Sequence, residues 1–441
     1  MSRRLYLLED EACRRWHPFQ ETRPVAEILH GGLLLRERIQ RATGLGTTGI
    51  LGRPELEGFS ETGTPPVLSA PPPEDHERLV FLSRYVPPLS PSGQPPSLPL
   101  PSRDSWVEAG GLRLITEGRT TGWIIPPGRP LPAECTPGLG KGSGGPEDSS
   151  DDGGLPTQSV PGHLLPDPWT LLERNPHQIG RDIMALHHDR MGSGVRVLPP
   201  ISGVMHVGDL PVTVEGDVEI SPGVVFDTRG GPIHLGPGVS VAPFTRLEGP
   251  AWIGAGSALL GGSMGRVSCG PVSKLHGEID SSVILGYTNK AHDGYLGHAL
   301  VGRWVNLGAF TTNSDLKNTY GTVRLSLPSH DATRAEANGA LTEVDTGLQK
   351  VGVFLGDHVK TGIGTLLNTG TVVGAGSSLF AGPMAPRWVK PFSWGHGEDL
   401  GVCRKEAFLT TARRMMGRRD LSLTPGMERL LSQLWDRERG R

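Results

Sequence analysis

The chain has few aromatic residues, 9 Trp, 5 Tyr and 10 Phe among 441. No apolar run approaches the roughly 18 residues that a membrane-spanning helix needs. The four cysteines, Cys13, Cys135, Cys269 and Cys403, lie far apart. No Cys-x-x-Cys or Cys/His spacing joins them, so neither a zinc site nor a disulfide framework is expected. No charge sign dominates: the formal net charge is −3, which leaves no global basic field for nucleic acid. The apolar run in Met1–Asp10 is only Leu5-Tyr-Leu-Leu8, shorter than a secretory leader. Together these absences predict a soluble cytoplasmic protein with no membrane span, no nucleic-acid partner and no resident metal.

Glycine and proline are abundant, 63 and 40 residues, each roughly twice the usual share. Such a chain is not mainly helical, and its length predicts two or three domains. Residues 1–125 read as a small mixed domain with strands at Leu5–Leu8, Ile50-Leu51, Leu79–Leu82 and Leu112–Ile115. A helix-like stretch starts at Pro24 and carries Val25, Ile28, Leu29, Leu35 and Ile39. Residues 126–166 hold Gly-Lys-Gly-Ser-Gly-Gly-Pro and Ser-Ser-Asp-Asp-Gly-Gly and read as a flexible linker. Asp167-Pro168 and Asn175-Pro176 each offer an N-cap followed by proline, predicting two short connecting helices within 167–192. Residues 397–441 read as two further helices, with stripes at Phe408, Leu409, Ala412, Met415, Met416 and at Met427, Leu430, Leu431, Leu434, Trp435. Residues 398–441 carry ten Lys/Arg against seven Asp/Glu, read as a solvated helix face.

Residues 200–396 carry a period of six. Leu235, Val241, Leu247, Ile253 and Leu259 are six apart. After an eight-residue step come Val267, Ser273, Ile279, Leu285 and Ala291, then Tyr295, Val301 and Leu307. A second run is Leu355, Thr361, Leu367, Val373 and Leu379. Period six fits neither a plain antiparallel sheet nor a helix. It fits a left-handed parallel β-helix, one inward aliphatic residue per flat side and glycine at the corners. A glycine-rich sandwich would give such spacing only by accident. The break at 316–350 is too long for a corner and reads as an arm leaving the prism; prisms of this kind commonly pack side by side as trimers, the arm crossing a neighbour.

Gly286–Phe310 concentrates polar residues. With Ala291 inward, Lys290 and His292 point outward, and an outward histidine can serve as a general base. His298, in the next turn, matches no catalytic position.

Lys290-Ala-His-Asp-Gly-Tyr295-Leu-Gly297, with Asn306 eleven residues after Tyr295, resembles the acetyltransferase half of the bifunctional N-acetylglucosamine-1-phosphate uridyltransferase/glucosamine-1-phosphate acetyltransferase family. The whole architecture also resembles a bacterial branch of sugar nucleotidyltransferases, through Thr22-Arg-Pro-Val-Ala26, Gly286–Gly294, Asn313–Gly321, Asp345–Gln349 and Phe392–Gly395. The resemblance covers about 5–125 and 165–396. It implies a shortened nucleotidyltransferase-like α/β front domain, then an all-β left-handed parallel β-helix of hexapeptide repeats with C-terminal helices.

By that resemblance His292 is the catalytic base, and Lys274, Lys290, Tyr295, Asn306, Asn313 and Lys317 contact the sugar phosphate. Acetyl-CoA is the co-substrate, lying near Gly362, Gly364 and Ala381, and the assembly is a homotrimer. The implied reaction is N-acetylation of an amino-sugar phosphate for nucleotide-sugar or envelope synthesis. Ala291-His-Asp293 also resembles the lipid A acyltransferases, so acyl transfer to a UDP-amino sugar is an alternative; a non-catalytic trimer is another.

The front domain departs from the family pattern. Glu9–His17 has no glycine where the family's phosphate loop follows the first strand, Val25 stands for the family's lysine, and Leu82–Pro87 lacks the metal-binding aspartate. Arg23 and Arg36 remain as candidates to meet a phosphate, with Mg²⁺ needed only where this domain is active.

Overall fold

The structure is a computed structural model and describes residues 2–90, 98, 100–101, 106–135, 154–187, 194–329, 341–380, 382, 384–397 and 399–439. The front domain is built on a seven-stranded mixed sheet, in the order 157–159, 112–116, 119–125, 77–82, 3–8, 47–51, 67–68. Its central strands, Arg3–Leu8 and Glu77–Leu82, run parallel with Leu5 opposite Leu79 and Leu8 opposite Leu82. Their apolar residues are fully buried, as a parallel strand covered on both faces requires.

Three expectations for this region change. The helix predicted from Pro24 is split. A single turn, Val25–Glu27, leads into the hairpin Leu29–His30/Leu33–Leu34, and helix α1 spans Leu35–Thr43. The break is Gly31-Gly32, a dipeptide suited to a tight hairpin turn, with Gly31 at φ +65. The stretch read as linker is partly strand: Thr157–Ser159 joins the sheet edge and His163–Leu164 pairs with Tyr85–Val86, while 136–153 lies outside the described residues. The two predicted connecting helices are one, α2, Pro168–His187, running through Pro176. An interior proline costs about 3 kcal/mol or more. Leu171 and Leu172 before it and Ile179 and Ile183 after it are buried, and at about 1.5–3 kcal/mol per side chain their burial offsets that.

The period-six region forms the expected parallel β-helix. Leu235, Val241, Leu247, Ile253 and Leu259 line its interior, as do Leu355, Leu367, Val373 and Leu379. In one wall Leu235 stacks on Ile253, Ile253 on Cys269, Cys269 on Ile284 and Ile284 on Val301. Those steps are 18, 16, 15 and 17 residues, so the middle coils are shorter than three full hexapeptides. The inward register therefore drifts after Leu259. Leu275, Ile279 and Ile284 point in, while Leu285 packs outward against the front domain. The inward position near 291 belongs to Lys290, paired with inward Leu275; Ala291 is only half-buried.

Glycine takes many of the prism's left-handed corner positions, Gly238, Gly256 and Gly376 among them, but not all. Val272, Tyr287, Trp304 and His358 form one corner column, all at φ between +55 and +64. Tyr287 stacks on Trp304 with centroids 4.3 Å apart, and Trp304 faces His358 at 6.3 Å. That stacking holds side chains in a conformation they otherwise disfavour.

The front domain and α2 cover one face of the prism. Trp16, Phe19, Val25, Ile28 and Leu29 share a core with Val283, Leu285, Leu300, Phe354 and Val372. The arm carries an antiparallel hairpin, Arg324–Pro328 with Leu341–Asp345. Its described part packs on its own chain, with Val323, Leu325 and Leu327 buried in that same core; residues 330–340 lie outside the described residues. The C-terminal helices α3, Lys405–Gly417, and α4, Pro425–Arg439, bury Phe408, Leu409, Leu430, Leu431 and Trp435 in the core of the front domain.

Candidate functional site

Strand register builds the site. Lys274 pairs with Asn289, Asn289 with Asn306, and Asn306 with Lys360. Each precedes an inward residue and so points outward. Four polar side chains thus stack on successive rungs, and Asn289 Nδ2 donates to Asn306 Oδ1 at 2.9 Å. Helix α3 lies over this ladder. Phe408 anchors it, edge-on to Phe392 at 5.0 Å and to His358 at 5.7 Å. Between ladder and helix is a cavity of about 470 Å³, lined by Lys274, Asn289, Asn306 and Lys360 on the prism and by Thr411, Arg414, Met415, Arg418 and Arg419 on and just after the helix. The basic residues read as a solvated helix face therefore include three arginines turned toward the prism.

Among the described residues that line it, none is acidic. Burial pushes the Lys360 ammonium down to about 8. Its nitrogen donates to the His358 carbonyl at 3.3 Å and lies 3.7 Å from Met415 sulfur. Burial, then the neighbouring Arg418 charge, lowers Arg419.

His292 is exposed and lies three residues beyond Asn289 on the same coil. Its backbone carbonyl is held from inside the prism: the Lys290 ammonium donates to the carbonyls of His292 and, at 3.0 Å, of His276. Lys290 is 1% exposed. Burial pushes it down to about 8, the Asp293 carboxylate working the other way. Lys290 is therefore a wall residue and offers nothing to a substrate outside the prism. Asp293 faces His276 instead of His292: His276 Nε2 is 3.1 Å from Asp293 Oδ1 and its Nδ1 is 2.9 Å from the Leu260 carbonyl.

Tyr295 and His298 meet on one carboxylate. The Tyr295 hydroxyl donates to Asp315 Oδ2 at 2.7 Å, and His298 Nδ1 lies 2.7 Å from the same oxygen. Burial opposes the Asp315 charge, but the His298 and Tyr295 hydrogen bonds outweigh it and hold the carboxyl below its usual range. Burial and the Asp315 bond push the Tyr295 hydroxyl up. His298 thus has the carboxylate-oriented ring that His292 lacks among the described residues. Sequence reading passed over it, although Asp315 follows His298 by 17 residues, about one coil, which marks stacked neighbours in this fold.

The other sequence-derived positions fall apart from the cavity. Asn313 is buried and completes the wall: its carbonyl accepts from Gly297 N at 3.0 Å and its amide donates to the Gly297 and Ser314 carbonyls. Lys317 donates to the Thr322 carbonyl within the arm. Gly362 and Gly364 follow Lys360 on its coil, Gly364 exposed at φ +71 with open space around it. Ala381 lies outside the described residues.

The front domain's phosphate candidates are already paired. Arg23 binds Asp357 at 2.9 Å and Glu61 at 3.0 Å, and Arg36 binds Glu27 at 2.5 Å. Glu9, at the end of the first strand, accepts from the backbone amides of Val25 at 2.9 Å and Ala26 at 3.4 Å. Burial pushes its carboxyl up in spite of those bonds. The amides that could cradle an anion there are occupied by the chain's own carboxylate. Ser83 and Arg84 follow the strand Glu77–Leu82, with Arg84 on Asp10 at 2.8 Å. These residues do not fit Mg²⁺, and among the described residues no group of three or more His, Cys, Asp or Glu could hold a metal ion. Nor, among those residues, is any helix long and apolar enough to cross a membrane.

Comparison with known proteins gives a consistent family picture. Residues 5–90 match the family model described as sugar nucleotidyl transferase. A bifunctional sugar-1-phosphate nucleotidylyltransferase/acetyltransferase of Sulfurisphaera tokodaii is 28% identical over 125 residues, 28% of this chain and 27% of that protein. The bifunctional protein GlmU of Stenotrophomonas maltophilia is 27% identical over 238 residues, 50% of this chain and 44% of that protein. The chain spans less than half the length of these curated relatives. Among solved structures, a point mutant of AntD, an N-acyltransferase from Bacillus cereus, in complex with dTDP-4-amino-4,6-dideoxyglucose and coenzyme A, aligns at TM-score 0.21 and 16% identity, over 48% of this chain and 90% of that one. The chain is thus similar to bifunctional nucleotidyltransferase/acetyltransferases, as its motifs indicate, and it combines an α/β front domain with a β-solenoid.

Proposed function

We propose that the chain is an acyltransferase that moves an acetyl group from acetyl-CoA to the amino group of a sugar phosphate of the glucosamine-1-phosphate type, in the cytoplasm. The observation that carries this reading is the cationic cavity on the coils next to His292. An anionic sugar held against Asn306 and Lys274 would leave its amine on the side where His292 is exposed. His292 would take a proton from that amine as its nitrogen attacks the thioester carbonyl. The carbon–sulfur bond then breaks and the thiolate leaves, taking up a proton. The pantetheine arm would run toward Gly362 and Gly364, where bare backbone permits close approach.

His298 supports a second assignment of the base. Asp315 fixes its Nδ1, which leaves Nε2 to accept a proton. The front domain we read as a platform that has lost nucleotidyl transfer, because Glu9, Arg23 and Arg36 are bound within the protein. Side-by-side assembly as a homotrimer is part of the proposal, supported by Phe244, Phe310 and Ile363, which are 86%, 61% and 70% exposed on the prism. The decisive experiment incubates the protein with acetyl-CoA and a panel of amino-sugar phosphates and UDP-amino sugars and measures free thiol. No thiol release above the rate without acceptor, across the panel, would sink the reading.

A further inference from the structure

The acyl-transfer reading takes the cavity as cationic but gives the individual arginines of α3 no ligand group of their own. Thr411, Arg414, Met415 and Arg418 are spaced i, i+3, i+4 and i+7, which puts them on one helical face, and all four line the cavity. Arg413, pointing elsewhere, pairs with Glu428. Across the cavity Lys274 and Lys360 are three rungs apart, roughly 14 Å at ~4.8 Å per rung. Among the described residues the lining therefore holds five cationic side chains and no carboxylate, in a chain whose acidic residues outnumber its basic ones, 46 to 43. Among the described residues none of the five forms a salt bridge, whereas Lys405 and Arg413 of the same helix do. Like charges converging across a cavity repel unless an anion enters between them. Arg414 and Arg418 are one helical turn apart, with Cβ atoms roughly 5–6 Å from each other, so each side chain can reach one of two linked phosphates, and guanidinium groups bind phosphate oxygens through paired, charge-assisted hydrogen bonds.

We propose that this cavity binds the diphosphate group of its ligand, the phosphates bridging Lys360 on the prism to Arg414 and Arg418 on α3. Asn289 and Asn306 then face a hydroxyl-bearing portion, and Val272, Val305 and Met415 an apolar one. A nucleotide-linked sugar and coenzyme A both carry a diphosphate; that these two are the sources to compare rests on the acyl-transfer reading, whereas the site itself does not.

Calorimetric titration of the full chain with inorganic phosphate, pyrophosphate, UDP and coenzyme A tests the site. Pyrophosphate should bind at least tenfold tighter than phosphate. The double variant Arg414→Ala/Arg418→Ala should lose tenfold or more of that affinity at an unchanged melting temperature, and Lys360→Met should lose a comparable factor. Whichever of UDP and coenzyme A displaces pyrophosphate more effectively identifies the source. Equal binding of phosphate and pyrophosphate, full affinity in the double variant, or failure of both UDP and coenzyme A to displace pyrophosphate would each overturn the proposal. Diphosphate binding without any acyl transfer would retire the catalytic reading and keep the site. Acyl transfer insensitive to pyrophosphate and to the double variant would do the reverse.

Discussion

Arg23 and Asp357, 334 residues apart, form a buried ion pair between the front domain and the prism, with Arg23 Nη2 and Nε at 2.9 and 3.0 Å from Asp357 Oδ2. Thr22 donates to the same oxygen at 2.8 Å, and Glu61 links Arg23 to Arg303 of the prism. Burial disfavours the guanidinium charge, but Asp357 and Glu61 outweigh it and raise Arg23. A residue that sequence comparison offers to a nucleotide is thus committed to holding two domains together.

Removing one partner of a buried ion pair costs about 3–5 kcal/mol, because the other charge stays buried without compensation. Asp357→Ala should destabilise the protein by about that amount. Scanning calorimetry should show the front domain and prism melting separately. A single transition at the wild-type temperature would show that this pair does not couple the domains.

The front domain should release little pyrophosphate from UTP and a sugar 1-phosphate with Mg²⁺ present. Glu9 occupies the amides of Val25 and Ala26, so few donors remain to stabilise charge developing at phosphorus. Turnover at rates typical of a nucleotidyltransferase, about 1 s⁻¹ or more, would contradict the platform reading.

What the sequence made legible was whatever repeats or runs apolar. The prism announced itself because a single inward position recurs every six residues from Leu235 to Leu259 and from Leu355 to Leu379. The register from Val267 to Ala291 misled because coils of 15 and 16 residues still contain enough aliphatic residues to imitate a period of six. Counting Ala291 as inward turns Lys290 outward; only the coil count shows Lys290 facing Leu275 across a rung. Arg23 is recognisable as charged but not as paired, because Asp357 lies 334 residues away; Arg36 meets Glu27 only because the hairpin Leu29–His30/Leu33–Leu34 turns the chain back between them. The cavity under α3 was invisible for the same reason: its two walls lie more than fifty residues apart, and nothing in a helix's charge pattern says which face is covered.

Lys290 should leave a pH signature. Its folded value near 8 lies below the value of about 10.4 in the unfolded chain. Between those values the unfolded state binds more protons, so stability rises with pH there, by at most about 1.4 kcal/mol per pH unit for one group. Below pH 8 both states are protonated, and the burial penalty on the charge is fully present. Lys290→Met should therefore gain stability relative to wild type at pH 7, with the gain shrinking toward pH 10. Urea unfolding of both proteins from pH 7 to 10 checks this. A constant difference across that range would mean the lysine is not held below its ordinary value.

The catalytic base is the sharpest question. His292 is exposed and opens no cavity when truncated, so His292→Ala should keep the wild-type melting temperature. If it is the base, free-thiol release should fall by roughly 10²–10⁴. His298 cannot serve as an inert control, since its ring rests on Asp315 and shares that carboxylate with Tyr295. His298→Ala should destabilise the root of the arm, because the Asp315 charge is buried and loses a partner, at roughly 1–3 kcal/mol. His298→Gln, which keeps a donor toward Asp315, should recover most of that stability, and the exposed helical His177→Ala should change neither property. If His292 is the base, His298→Gln retains near-wild-type transfer. If His298→Gln instead abolishes transfer at full stability while His292→Ala remains active, the base is the histidine that Asp315 orients.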